Sequence, residues 1–394
     1  MTRRVIEALF FPLLLGAGAG CVGGSGHVAQ REATGAAIPP VAVSATAPAS
    51  PPNQATASSV AAPAASSPPP HAMTIRLSSG NSDSGDAEVA AGDEAFERGD
   101  LAQASKYYEA ARILAPKNVA PRVGVARVRL ALASVPLDYG SAKGSKEVAA
   151  AAAELAMAVK AAPSFGPGYV ELGRARLLLG DASGAVEALE TAARLLPDEP
   201  EAHSQLGVAW LATGHADRAV SELARAVELD PSSAARHGNL GTALLMVGRT
   251  KEAVAEYEVR VRMDDGDARA HSDLGTALLG TQDLPRALSE LQRAVALDPK
   301  RPAFHSNLGY ALQQLGRMDA AIAEYRDALR LDPNLVSAWI NLGTVLARNP
   351  TARAQAREAL VRAQALSPGD PRVKANLDEL DALELAGPKG ANPR

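Results

Sequence analysis

Cysteine occurs once in the 394 residues, at Cys21, so no pair of thiols is available for redox or metal chemistry. Aromatic residues make up 4% of a chain that is 47% hydrophobic. Alanine and leucine must therefore do the packing, as they do where helices lie close together. A basic excess is missing too: 40 Lys and Arg stand against 44 Asp and Glu, a net charge of −4. Residues 1–84 hold Arg3, Arg4, Arg31 and Arg76 against Glu7, Glu32 and Asp83, which leaves the remainder of the chain at −5. Neither part can neutralise a row of phosphates, and nucleic acid is not an expected partner. No G-x-S-x-G, H-E-x-x-H or Walker loop occurs, so neither catalysis nor a cofactor is expected.

The longest early apolar run, Ala8 to Leu15, is too short to span a bilayer, and Arg3 and Arg4 precede it. Residues 1–20 read as an export signal that is removed. The position of Cys21 directly after "GAGAG" resembles the bacterial lipoprotein signal, in which the cysteine is lipidated and begins the mature chain. Gly18 stands where that pattern prefers leucine, and Ala17-Gly18-Ala19 offers an ordinary cleavage site that would instead leave a soluble periplasmic protein. The resemblance implies a membrane attachment, most simply at an outer membrane facing the periplasm. From Ala33 to Ile75 the chain has no charged residue and is mostly alanine, proline and serine. Such a segment buries too little to offset its ordering entropy, and residues 21–84 are expected to form a disordered tether.

Beyond the tether the sequence repeats itself. "HGNLGTALL" at 237–245 returns as "HSDLGTALL" at 271–279, and its glycine recurs at Gly92, Gly173, Gly207, Gly241, Gly275, Gly309 and Gly343. Five successive steps of 34 residues link Gly173 to Gly343. With that glycine as position 8 of the unit, position 20 is Ala104, Ala185, Ala219, Ala253, Ala287 and Ala321, and position 32 is Pro116, Pro197, Pro231, Pro299 and Pro333. Small residues let two antiparallel helices approach, the proline ends the second helix, and a glycine near position 15 makes the turn between them. This pattern resembles the tetratricopeptide repeat (TPR) family. The resemblance implies an all-α, right-handed superhelical solenoid of about eight helix-turn-helix repeats over 85–370, the units being 85–118, 119–165, 166–199, 200–233, 234–267, 268–301, 302–335 and 336–370. Residues 371–386, with Val373, Leu377, Leu380 and Leu383 on one side, read as the capping helix, and 387–394 as a disordered tail.

Two units depart from the pattern. The second carries about thirteen extra residues at 133–145, expected as a long turn between its helices. The fifth has Arg260 in place of the alanine of position 27 and Asp265 in place of proline. A charge at a packing position must be paired or turned outward, with Asp264 or Asp265 within reach, so the joint between units five and six is expected to be soft. His203, His237, His271 and His305 share position 4 with Tyr169 and Trp339, which marks a packing site and not a metal site. Imidazoles one helix pair apart lie far beyond a shared ion's reach of about 2.0–2.1 Å per ligand.

In the TPR family the first helix of each unit lines a concave groove. Carried onto this chain, the resemblance implies peptide-binding roles for Glu171, Gln205, Asn239, Asp273, Asn307 and Asn341 at position 6, and for Thr242, Thr276, Tyr310 and Thr344 at position 9. Amides offer a donor and an acceptor each, which suits the backbone of an extended partner. The basic residues by which some relatives clamp a terminal carboxylate are scarce in units three to seven. The function implied is a non-catalytic scaffold for a protein or peptide partner, as among pilus-assembly and other outer-membrane lipoproteins of the family; a substrate-recruiting arm of an enzyme complex is the alternative.

Overall fold

The computed structural model describes residues 75–80, 85–133 and 140–385. The expected signal at 1–20, Cys21, most of the tether, the middle of the 133–145 insertion and the tail at 387–394 lie outside the described residues. All described residues belong to one compact unit, and no strand occurs among them.

Among the described residues sixteen α-helices follow one another as eight antiparallel pairs, and a seventeenth follows them. The first helices of the eight units are α1 (Asp86–Glu97), α3 (Ala120–Leu132), α5 (Gly166–Leu179), α7 (Pro200–Ala212), α9 (Ala234–Met246), α11 (Ala268–Gly280), α13 (Pro302–Gln314) and α15 (Val336–Ala347). Their partners are α2 (Leu101–Leu114), α4 (Lys146–Ala161), α6 (Ala182–Leu195), α8 (Ala216–Leu229), α10 (Thr250–Met263), α12 (Leu284–Leu297), α14 (Met318–Leu331) and α16 (Arg353–Leu366). Helix α17 (Pro371–Leu385) closes the array against α15 and α16, burying Val373 and Leu380, with Leu377 and Leu383 packed beside them.

The repeat's glycine is required by a close approach. A Cβ on Gly207 would lie 2.4 Å from Leu223, and one on Gly309 2.8 Å from the Tyr325 ring, so a large side chain of each second helix fills the notch that glycine leaves in the first. Between the helices Gly180, Gly214, Gly248 and Gly316 all adopt positive φ, ending the first helix in the left-handed conformation. Asp100, Asp181 and Asp283 then cap the second helix, each accepting from a backbone N–H three residues on.

The joints between units share one further bond. His203, His237 and His305 bring Nε2 to 3.0 Å from the carbonyl oxygens of Pro197, Pro231 and Pro299, and His271 does the same to Asp265. Trp339 donates its indole N–H to Pro333, and Arg122 its guanidinium to Pro116. In six of the eight units position 4 therefore places a side-chain nitrogen on the carbonyl six residues before it, from histidine, tryptophan or arginine alike. In the four histidine units Nδ1 also lies within hydrogen-bonding distance, 2.6–2.7 Å, of a carboxylate oxygen of Glu222, Glu256, Glu290 or Glu324 on the second helix. The packing expected at this position is thus polar as well as steric.

First helices of successive units pack directly on one another at every joint but one; between α9 and α11 that packing is thinner. Arg260 sits there, its guanidinium against Gly238 and bonded to Asp267 at 2.7 Å and Asp273 at 2.8 Å. These are the partners, in place of the expected Asp264 or Asp265. In the second unit, the described end of the insertion folds back, Gly140 and Ala142 donating to the carbonyls of Leu177 and Leu178 on α5.

Candidate functional site

The face built from the first helices is already occupied at one end. Residues 75–80, expected as the last stretch of the tether, are instead an ordered extended strap across α1, α3 and α5. The expectation rested on composition, and the segment gains its order from specific bonds. Leu77 and Ser78 donate consecutive backbone N–H groups to Asp93 Oδ2 at 2.8 and 2.9 Å. Arg127 donates Nη2 to the Ile75 carbonyl at 2.5 Å, and Ser79 donates its N–H and hydroxyl to Asp86. The side chains alternate as on a strand: Ile75 and Leu77 are buried, whereas Arg76 points outward to Glu97. Ile75 joins Val170, Ala192 and Ala202 in a small apolar cluster, and Leu77 joins the core of the first units.

Electrostatics hold the groups that hold the strap. Asp93 Oδ1 accepts from the Tyr108 hydroxyl at 2.8 Å, and burial pushes that phenol well above its ordinary range. Arg127, 2% exposed, bonds Glu171 at 2.8 Å and lies over the Phe96 ring. Burial alone would raise the Glu171 pKa, but Arg127 and Arg174 outweigh it and keep it below the usual value. Charge then continues along the face to Glu201, which accepts from Gln205 at 2.8 Å and from Arg236 at 3.4 Å. Here burial dominates and pushes the carboxyl up to about 7. Arg236 also pairs with Asp230, linking unit five to the same network.

The residues that the sequence singled out fall into two groups. Glu171 and Asp273 are structural ion-pair partners, of Arg127 and Arg260 respectively. Thr242 bonds the Tyr257 hydroxyl, Thr276 is buried on the Ser272 carbonyl, and Thr344 meets Asn376 of the capping helix. Asn307 reaches the hydroxyls of Ser272 and Thr276 at 3.2 and 3.4 Å, joining units six and seven. Gln205, Asn239, Tyr310 and Asn341 are half-buried on the same helices and complete the row. The strap-binding residues Asp86, Asp93 and Arg127 were not among those expected. For Asp93 and Arg127 the signal is charge at position 9 of units one and two, continued by Arg174 in unit three, where units five to eight carry threonine or tyrosine.

Among the described residues one group brings His, Glu and Asp donors within 4.8 Å of one another: His305, Glu324 and Asp327. Its members are engaged already, His305 with Glu324 and the Pro299 carbonyl, Asp327 with Arg330.

An all-α stack of helix pairs with a glycine–alanine seam has the fold of a tetratricopeptide-repeat solenoid. Sequence models of the tetratricopeptide repeat match residues 176–241, 238–302, 272–336 and 307–371. No curated protein matches the chain in sequence. Among solved structures, the APC/C hetero-tetramer Cut9–Hcn1 is similar at 18% identity and a TM-score of 0.56, covering 75% of this chain and 55% of that one. The present chain thus spans about half the length of that relative, and the likeness concerns the fold. YrrB, titled a TPR protein with an unusual peptide-binding site, aligns at 24% identity over 49% of this chain and 99% of its own, with a TM-score of 0.38. The pilF protein of Pseudomonas aeruginosa aligns at 20% identity over 54% and 97%, with a TM-score of 0.46.

Proposed function

We propose that this protein is an exported, non-catalytic scaffold that receives an extended segment of a partner protein along its first helices, and that a lipid on Cys21 holds it at the membrane during assembly of an envelope complex. Tetratricopeptide solenoids are in general protein-interaction scaffolds, so the class of function follows from the fold. The observation that carries the peptide reading is the strap itself: an extended chain whose backbone N–H and C=O groups meet Asp93 and Arg127. Beyond the strap, the half-buried amides of Gln205, Asn239, Asn307 and Asn341 continue the face with groups that both donate and accept. The membrane part rests on the N-terminal sequence, where an apolar run precedes the only cysteine.

Capture from solubilised membranes with the full-length protein as bait supplies the partner. Replacing Asn239, Asn307 and Asn341 together by Ala is expected to leave the circular-dichroism spectrum unchanged. Calorimetry on that partner should show affinity falling by about a hundredfold, from hydrogen bonds worth on the order of 1 kcal/mol each. Unchanged affinity at matched helicity removes the amide row from the site. Feeding a labelled fatty acid to a bacterial host tests the anchor: label should reach wild type and not Cys21→Ser.

A further inference from the structure

The strap's contacts divide by what they recognise. Four of its bonds, from the Leu77, Ser78 and Ser79 N–H groups to Asp93 and Asp86 and from Arg127 to a carbonyl, read backbone and are indifferent to sequence, and the Ser79 hydroxyl adds one side-chain bond to Asp86. Two side chains, Ile75 and Leu77, are read by apolar surface, at a spacing of two residues that only an extended chain presents to one face. The residue between them, Arg76, is exposed and contributes only a peripheral ion pair to Glu97. Such a surface has the features by which an extended segment with alternating apolar residues is held.

The balance of forces makes that instance replaceable. The strap brings two buried apolar side chains and a handful of backbone bonds, set against the ordering of six residues. Its receptor is organised without it: Arg127 is anchored by Glu171, Asp93 by Tyr108, and Asp86 and Asp93 both sit on the regular helix α1. Removing the strap would expose Arg127 and Asp93 to water, which hydrates both, so vacating the site leaves no buried charge unpaired.

We infer that residues 75–79 are an intramolecular occupant of a peptide site on the first helices of units one to three, and that a partner's extended segment carrying two apolar residues separated by one residue binds there by replacing them. This rests on the scaffold reading and adds its regulation: the site is closed by the protein's own chain until a competing segment is present at sufficient concentration. Affinity measured on the intact protein is thereby reduced by the fraction of molecules whose site is filled in cis.

The test uses the full chain and a fluorescent peptide of sequence IRLSSG, residues 75–80. Fluorescence anisotropy compares wild type with Ile75→Asp/Leu77→Asp, which ejects the strap. The double variant should bind the peptide at least tenfold more tightly than wild type, and a control peptide bearing Asp at both apolar positions should bind neither. Equal binding to both proteins, or no binding to a double variant of unchanged helicity, overturns the inference. Hydrogen exchange on wild type gives a second reading that does not depend on the variant's folding. Excess IRLSSG should speed exchange of the Leu77 and Ser78 amides while those of α1 stay protected, and no change at saturating peptide overturns it. A partner that binds wild type and the double variant equally, yet is lost in the Asn239/Asn307/Asn341 triple variant, overturns the strap inference and leaves the scaffold reading standing.

Discussion

Gln282 has a φ of 64°, and no other described residue except glycine has a positive value. It stands at the turn of unit six where Gly180, Gly214, Gly248 and Gly316 stand in theirs. A side chain in the left-handed region costs about 1–2 kcal/mol, and the Gln282 amide recovers part of it by donating to the Leu279 carbonyl. Gln282→Gly should therefore raise unit-six stability by about 0.5–1 kcal/mol after the extra unfolded-state entropy of glycine is subtracted. Urea denaturation checks this, and a lower midpoint would show that the amide bond outweighs the strain. The histidines of position 4 show what single residues reveal in sequence and what they conceal. Their recurrence at one place in the unit marked them as structural, but the common act of His203, Trp339 and Arg122, an N–H given to the carbonyl six residues back, is a property of geometry that their chemistry does not announce.

At the scale of elements the joint between α10 and α11 is the informative one. Arg260 takes the place of a small residue where α9 and α11 pack least against each other, at the joint expected to be soft. It is nonetheless well paired. Burial opposes the Arg260 charge, and Asp273 and Asp267 more than restore it, so its pKa lies above the ordinary value. Truncating one member of a buried ion pair leaves the other charge unsolvated, at a cost of about 3–5 kcal/mol in favourable cases. Arg260→Ala is thus expected to destabilise units five and six by about 2–4 kcal/mol, against the gain that a simple return to the repeat's alanine would suggest. Adding Asp273→Asn should recover part of the loss, and a double-mutant cycle in guanidinium measures how much. Additive losses would mean that the two side chains do not act as a pair. The sequence could not name the partners because Asp267 and Asp273 reach Arg260 only once α11 has packed against α10.

For the molecule as a whole, the repeat period carried most of the fold: helices, turns, the glycine notch and the capping helix all follow from spacing. The site was less legible. Residues assigned by family position, such as Glu171 and Asp273, proved to be bound within the array, and the strap came from a segment whose composition argues for disorder. Short extended segments are held by a few backbone bonds, which leave no periodic trace. The same network predicts how stability depends on pH. Burial raises the Glu201 carboxyl from 4.5 to about 7, so the folded state holds a proton that the unfolded chain has released. Stability from this group is full below about 4.5, falls as pH rises to about 7, and is level beyond it. Glu201→Gln should flatten that decline, with a melting temperature above wild type at pH 8 and near wild type at pH 4. Parallel curves for the two proteins would remove Glu201 as the titrating group.

The bond from position 4 to a carbonyl six residues earlier lies wholly within one short run of sequence, and it crosses six of the seven boundaries between units. A stretch of gene duplicated in tandem, starting anywhere in the repeat, therefore copies its own joint along with its two helices. Such an array can lengthen or shorten by whole units without any new surface having to be invented, and the joint forms in each added copy as soon as it is translated.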